Sequence, residues 1–308
     1  MLFAVSGVTT EPWIPPLVAC AISFFTSMGG VSGAFLLLPF QMSVLGYTHP
    51  SVSSTNQVFN IVAIPSGIYR YCKEGRMIWP LTWAVVLGTL PGVLIGAIVR
   101  VTGLRDPHSF KLFASAVLLY IAGRMLKDLF STKETTPPGS GHRPNGAGSV
   151  ILTSGSPATV AVTHCSLRKI AYTFQGVTYT LPVAGVFLLC LTVGIIGGIY
   201  GIGGGAIIAP FLVTFFKLPV YTIAGAALMG TFVTSVAGVA FYTTIAPFYP
   251  QLSVAPDWLL GLLFGLGGMA GMYLGARCQK FVPARVIKWM LVVIMLGTAL
   301  RYIFEFAV

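Results

Sequence analysis

Ten apolar stretches divide this chain, and they leave it few ways to fold. Five of them (residues 13–28, 33–46, 52–70, 77–100 and 110–130) precede a polar middle. Five more (182–200, 205–216, 221–244, 257–276 and 285–306) follow it. A helix needs about 20 apolar residues to cross a bilayer core, and lipid tolerates only structures that satisfy every backbone polar group internally. Charged residues make up 8% of the 308, against about 25% in soluble domains. With 56% apolar residues and a mean hydropathy of +0.87, the chain carries more apolar surface than a soluble fold of this size can bury. The expected fold class is an all-α polytopic membrane protein.

The two sets of stretches are related. GVSGAFLLLPF (30–40) aligns with GIGGGAIIAPF (201–211), placing Gly30, Gly33, Pro39 and Phe40 over Gly201, Gly204, Pro210 and Phe211. GTLPGVLIGA (88–97) aligns with GGMAGMYLGA (267–276), and Lys111 and Arg124 align with Lys288 and Arg301. Three matches in the same order indicate a duplication, and internal repeats of this kind mark secondary transporters. In each half the first two stretches are short and separated by glycines. Each pair is either two thin crossings or one re-entrant hairpin, and the sequence leaves both open.

Charge orients the repeats. If the second is inverted relative to the first, the loop at 70–76, the polar middle, Lys217 and the loop at 277–288 share one side. Only Arg100, Arg105, Lys111 and Arg301 of the 18 Lys and Arg then lie on the other. The positive-inside rule favours this arrangement, with the middle in the cytoplasm and both termini outside. The expected organisation is a first transmembrane repeat at 1–130, a cytoplasmic insert at 131–181 and a second transmembrane repeat at 182–308. The insert opens as a Pro-, Gly- and Ser-rich linker. It continues through the β-branched runs SVILTS, ATVAVTH, KIAYTF and VTYTL, compatible with a small sheet or a loose linker. The N-terminus has no Lys or Arg before its first apolar run, so it is not expected to be a cleaved leader.

Composition narrows the chemistry. The net charge of +11 is explained by basic loops, and no basic window with interleaved aromatics points to nucleic acid. Membrane lipids are the expected surroundings. The five cysteines (Cys20, Cys72, Cys165, Cys190 and Cys278) lack metal or redox spacing and read as free thiols. All seven acids (Glu11, Glu74, Asp106, Asp128, Glu134, Asp257 and Glu305) fall in loops or near segment ends, and no histidine is central. Catalytic dyads, metal sites and cofactors are therefore not expected, nor is a carboxylate-based cation pump.

Two features suit a small anion. In GIYGIGGGAIIAPFL, Gly201, Gly203, Gly204 and Gly205 directly precede an apolar run. Their amides are expected at a helix N-terminus, where orphan N–H groups and the helix dipole attract negative charge. Close packing of small residues is the competing reading. In SVSSTNQVFNIVAIPSG, Ser53, Asn56, Gln57 and Asn60 share one helical face, and Thr231 and Ser235 occupy the equivalent region of the second half. Interhelical hydrogen bonding competes with substrate binding for each of them.

The GxGGGxxxxPFL run, its degenerate first-half copy and the GxxxGxxxGA segments resemble the sulfite exporter TauE/SafE family, also called the 4-toluene sulfonate uptake permeases. The resemblance covers both apolar halves. It implies an inner-membrane transporter of inverted repeats that moves small sulfur-containing anions, such as sulfite or an organosulfonate. By resemblance the site falls on Gly201, Gly203, Gly204, Gly205 and Pro210, with Gly30, Ser32, Gly33 and Pro39 in the first half. The element that opens the next helix falls on Ser54, Thr55 and Asn56. The chain departs from the pattern in reading GVSGA in the first half, in Ala226 and Ala227 in place of a Thr-Ser pair, and in its long insert. The leading expectation is sulfite export by alternating access, with a passive anion channel, an intramembrane enzyme and a sensor as rivals.

Overall fold

The computed structural model describes residues 1–28, 32–73, 75, 77–130, 160–166, 168–174, 176–278 and 284–307. Its first six helices are α1 (Ile14–Met28), α2 (Ala34–Ser43), α3 (Ser51–Ala63), α4 (Pro65–Lys73), α5 (Trp79–Thr102) and α6 (Pro107–Phe130). Three strands follow, β1 (Val160–Cys165), β2 (Lys169–Phe174) and β3 (Val177–Pro182). The remaining helices are α7 (Val183–Tyr200), α8 (Ile208–Phe216), α9 (Val220–Ile245), α10 (Trp258–Cys278) and α11 (Ala284–Ala307). Five of these are long and apolar enough to cross a membrane: α5, α6, α7, α9 and α10. The apolar stretch at 52–70 forms two helices, because Pro65 has no N–H for the helical ladder and α3 ends just before it.

The packing exchanges partners between the halves. α5 packs on α7, and α1 packs on α10; α5 and α10 also pack on α9 and α3, and α6 packs on α11. The aligned glycine triplets explain the first two pairs. A Cβ at Gly88, Gly92 or Gly96 would meet Cys190 or backbone atoms between Phe187 and Ile199 of α7. A Cβ at Gly267, Gly271 or Gly275 would meet Pro16, Cys20 or the Phe24–Ser27 stretch of α1. Membrane helices associate where small residues let backbones approach, and both triplets serve that purpose.

In the α1–α2 and α7–α8 pairs the chain turns back on itself, the second helix being the shorter in each. β3 runs straight into α7, while Thr222, just after α8, shares a hydrogen bond of 2.9 Å between its Oγ1 and the Tyr172 hydroxyl of β2. α7 and α8 therefore enter and leave by the end of the bundle that carries the sheet. The α1–α2 pair enters and leaves by the opposite end. There Asp257, which follows the long α9, accepts hydrogen bonds from Ser6 N and Oγ. Thr55 Oγ1, which accepts from Asp257 N, also bonds Tyr47 just after α2. The chain between α9 and α10 also meets α3 there, where Ser51 N donates to Ser253 O at 2.9 Å.

β1, β2 and β3 form an antiparallel meander in that order, with an irregularity between Val162 and His164. Tyr172, Phe174 and Leu181 pack into the helical core, and Ile170 is also buried. The SVILTS run lies outside the described residues.

Candidate functional site

The two hairpin turns meet on one face of α3. Asn56 Nδ2 donates to Ala34 O, at the start of α2, at 2.9 Å and to Gly201 O, at the end of α7, at 3.2 Å. One turn further on, Asn60 Nδ2 donates to Ile202 O at 2.9 Å and to Ser235 Oγ at 3.3 Å, while its Oδ1 accepts from Ser32 Oγ at 3.3 Å. Each asparagine thus holds both turns. The three- and four-residue spacing that puts these amides on one helix face is what allows it. Tyr200 adds a direct tie, its hydroxyl donating to Phe35 O at 3.0 Å.

The second turn is shaped by its glycines. α7 ends at Gly201 with φ +78°, and Gly203 also has φ +78°, a conformation costly for any residue with a Cβ. Space is equally tight. A Cβ on Gly201 would strike Ser53, one on Gly203 would lie 2.9 Å from Ser235 Oγ, and one on Gly204 would lie 2.5 Å from Thr89 Cβ. A Cβ on Gly205 would strike Ala227 O. α8 starts at Ile208, so the glycine amides belong to the turn itself, two residues short of the helix N-terminus expected from the sequence. Gly204 N donates to Thr234 Oγ1 at 3.0 Å. Close packing thus accounts for these glycines, and it brings backbone to the centre of the bundle.

The structure distributes the expected residues unevenly. Ser32, Asn56, Asn60, Gly201 and Ser235 form one hydrogen-bonded cluster. Thr231 borders it, its methyl group and carbonyl facing Gly203 while its hydroxyl bonds back to Ala227 O at 2.8 Å. Gly33 caps α2 and faces Ser23 and Thr26 of α1, 2.8 and 3.3 Å from where its Cβ would be. Gln57 turns to α9, against Gly238. Thr55 is not part of the cluster: its hydroxyl joins Tyr47 and Asp257, each at 2.9 Å, and ties together the loops at the end of the bundle away from the sheet. Gly30 lies outside the described residues. Four further polar residues complete the surroundings: Gln41, Thr89, Thr234 and Ser23. Gln41 Nε2 reaches Asn56 Oδ1 at 3.5 Å. The sequence signal for Gln41 is an amide in an apolar ten-residue helix, and for Thr234 it is the helical spacing from Thr231.

The cluster is neutral and closed. Asn56, Gln57, Asn60, Thr231 and Ser235 are fully buried, and no Asp, Glu or His among the described residues joins them. Several buried polar atoms have no hydrogen-bond partner: both side-chain amide atoms of Gln57, Gln41 Oε1 and Ser23 Oγ. Buried polar groups are normally satisfied, so each of these atoms is an unmet donor or acceptor inside the bundle. The described residues contain no group of three His, Cys, Asp or Glu that could hold a metal. Two apolar grooves, of about 490 and 730 Å³, lie apart from the cluster, one along α1, α2 and α11 and one along α1 and α10.

Residues 16–302 match the family described as Sulfite exporter TauE/SafE. The chain is 23% identical to the Probable membrane transporter protein YunE of Bacillus subtilis (strain 168) over 286 residues, 90% of this chain and 92% of that protein. It is 27% identical to the Probable membrane transporter protein YdhB of the same organism over 105 residues, 34% of this chain and 40% of that protein. No solved structure matches it. The family match runs through both hairpins, the asparagine face of α3 and the glycine triplets, and the chain belongs to the sulfite exporter TauE/SafE family.

Proposed function

We propose that this protein is a secondary transporter that exports a small sulfur oxyanion, sulfite foremost, from the cytoplasm across the inner membrane. The observation that carries the reading is the clamp of Asn56 and Asn60 on two backbone turns that enter the bundle from opposite ends. A site at the meeting point of two opposed, broken segments serves alternating access: movement of either hairpin exposes the same groups to one side. Amides, hydroxyls and backbone N–H groups bind an oxyanion without demanding a proton. The closed cluster corresponds to an occluded stage of such a cycle. The sheet end, next to the basic loops, faces the cytoplasm in this reading, and both termini face outside. Export of an anion from a negative-inside cell is driven by the membrane potential, about 2.3 kcal/mol per charge per 100 mV. The lack of a central carboxylate suits that direction.

Flux into proteoliposomes at a set potential tests the proposal. Sulfite, sulfate, thiosulfate and an aryl sulfonate are compared. Saturable sulfite flux with counterflow exchange is the expected result. Flux without saturation or exchange would make the protein a channel, and absence of flux for all four anions from a folded, inserted protein would overturn the substrate class.

A further inference from the structure

Arg100 stands apart from every other cation in the described protein. It lies in the last turn of α5, at the end of the bundle away from the sheet, and is fully buried. Its Nη1 donates to Leu104 O, and its Cζ sits 3.7 Å from the centre of the Phe110 ring. Its Nε and Nη2 have no partner. These two N–H groups form one edge of the guanidinium fork, the edge that takes two oxygens of a carboxylate, phosphate or similar oxyanion side by side. An unpaired charge held away from water is among the most costly arrangements a protein can keep, and stacking on one ring compensates only a part of it.

The surroundings connect this edge to the central cluster. Tyr242 of α9 packs with Ala97 and Val101, which flank Arg100 on α5, and its hydroxyl reaches Gly198 O at 3.5 Å. One helical turn earlier on α9 is Gly238, against which the unpartnered Gln57 amide rests. A single turn of α9 therefore separates the unsatisfied amide of the centre from the packing around the unsatisfied guanidinium. Beyond Arg100, the chain at 103–106 that supplies the Leu104 carbonyl is largely exposed. The guanidinium thus lies one short loop below the surface.

We infer that Arg100 forms a second anion site, which receives a small oxyanion through its Nε and Nη2 edge between the central cluster and the outer surface. Its place on the route rests on the transport reading above; the binding itself does not. A small dianion or monoanion of sulfur, or another oxyanion of that size, fits the edge, whereas chloride lacks the paired oxygens.

The test is anion binding by the full-length protein in nanodiscs, followed by calorimetry and thermal shift, alongside flux. Sulfite and sulfate are titrated at constant ionic strength against chloride. Arg100→Lys keeps the charge without the fork, and Arg100→Gln removes both. Asn60→Ala disables the centre. The wild type is expected to bind an oxyanion over chloride, Arg100→Gln and Arg100→Lys to weaken it by about 10- to 100-fold, and Asn60→Ala to keep Arg100-dependent binding while losing flux. If Arg100→Gln fails to fold, Arg100→Lys carries the comparison. Equal oxyanion affinity in wild type and Arg100→Lys would overturn the inference and leave export standing. Arg100-dependent oxyanion binding by a wild type that moves no sulfite would sustain the inference and overturn sulfite export.

Discussion

Replacing Asn60 by alanine removes three hydrogen bonds at once: to Ile202 O at 2.9 Å, to Ser235 Oγ at 3.3 Å and from Ser32 Oγ at 3.3 Å. All these residues are buried, so no water replaces the lost partner. In water-soluble proteins each stranded group would cost about 1–3 kcal/mol. Within membranes the measured worth of such bonds averages about 0.6 kcal/mol, because the unfolded state also finds partners there. Three bonds then give about 2 kcal/mol, a factor of about 30 in any equilibrium between docked and separated hairpin turns. Asn60→Ala is therefore expected to insert normally, to lose about 2 kcal/mol in reversible unfolding from mixed micelles, and to carry at least about tenfold less sulfite per molecule. Asn60→Asp sets an acceptor against Ile202 O. It should transport less than Asn60→Ala at neutral pH and recover as acid protonates the carboxyl and restores a donor. A stability change below about 0.5 kcal/mol together with unchanged flux in Asn60→Ala would refute the idea that the clamp holds the turns.

Gly204→Leu places a side chain into Thr89; membrane insertion should persist while flux disappears, which a surface-labelling assay run beside the flux assay would check. Gly92→Leu and Gly271→Leu should each separate one helix pair, α5 from α7 or α1 from α10, with similar losses of thermal stability because each replaces a close backbone contact. Tyr172→Phe removes the bond to Thr222 and should loosen the sheet by about 1 kcal/mol, seen as faster proteolysis between Cys165 and Leu181. Burial pushes the Tyr172 hydroxyl up to about 12. Its contribution to stability is complete below about pH 10, where the unfolded tyrosine is still neutral. It declines as pH rises from there through 12, so the sheet should loosen in alkali in the wild type and lose that dependence in Tyr172→Phe.

Much of this arrangement is legible in the sequence for a plain reason. Apolar length and sparse charge admit little but membrane helices, and the spacing of Asn56 and Asn60 puts both amides on one side of α3 whatever the neighbours are. KIAYTF and VTYTL are less decided: their β-branched runs suit strands but equally a loose linker, and only packing of Tyr172, Phe174 and Leu181 on the helices makes them a sheet. What the amides touch is less accessible, because it depends on where a turn 142 residues away is folded back. Thr55 illustrates the limit. It adjoins Asn56 in sequence, yet helical rotation turns it to Asp257 and the loops at the end away from the sheet. The glycines carry two meanings that local sequence does not separate: Gly201 needs a left-handed backbone, while Gly92 and Gly271 need only the absence of a Cβ. Arg100 looks like an ordinary loop-proximal cation until burial and its unpaired edge are seen.

The exchange of partners between α5–α7 and α1–α10 bears on how the protein is made. When the ribosome has released residues up to Phe130, α1 and α5 have each been synthesised without the helix they pack against. Neither half can complete its own interior, so the first waits in the lipid, its small-residue faces open, until α7 and then α10 emerge. During that interval other helices can dock on those faces. A gene cut between the halves should still yield working protein when both fragments are co-expressed, and neither fragment should be long-lived by itself.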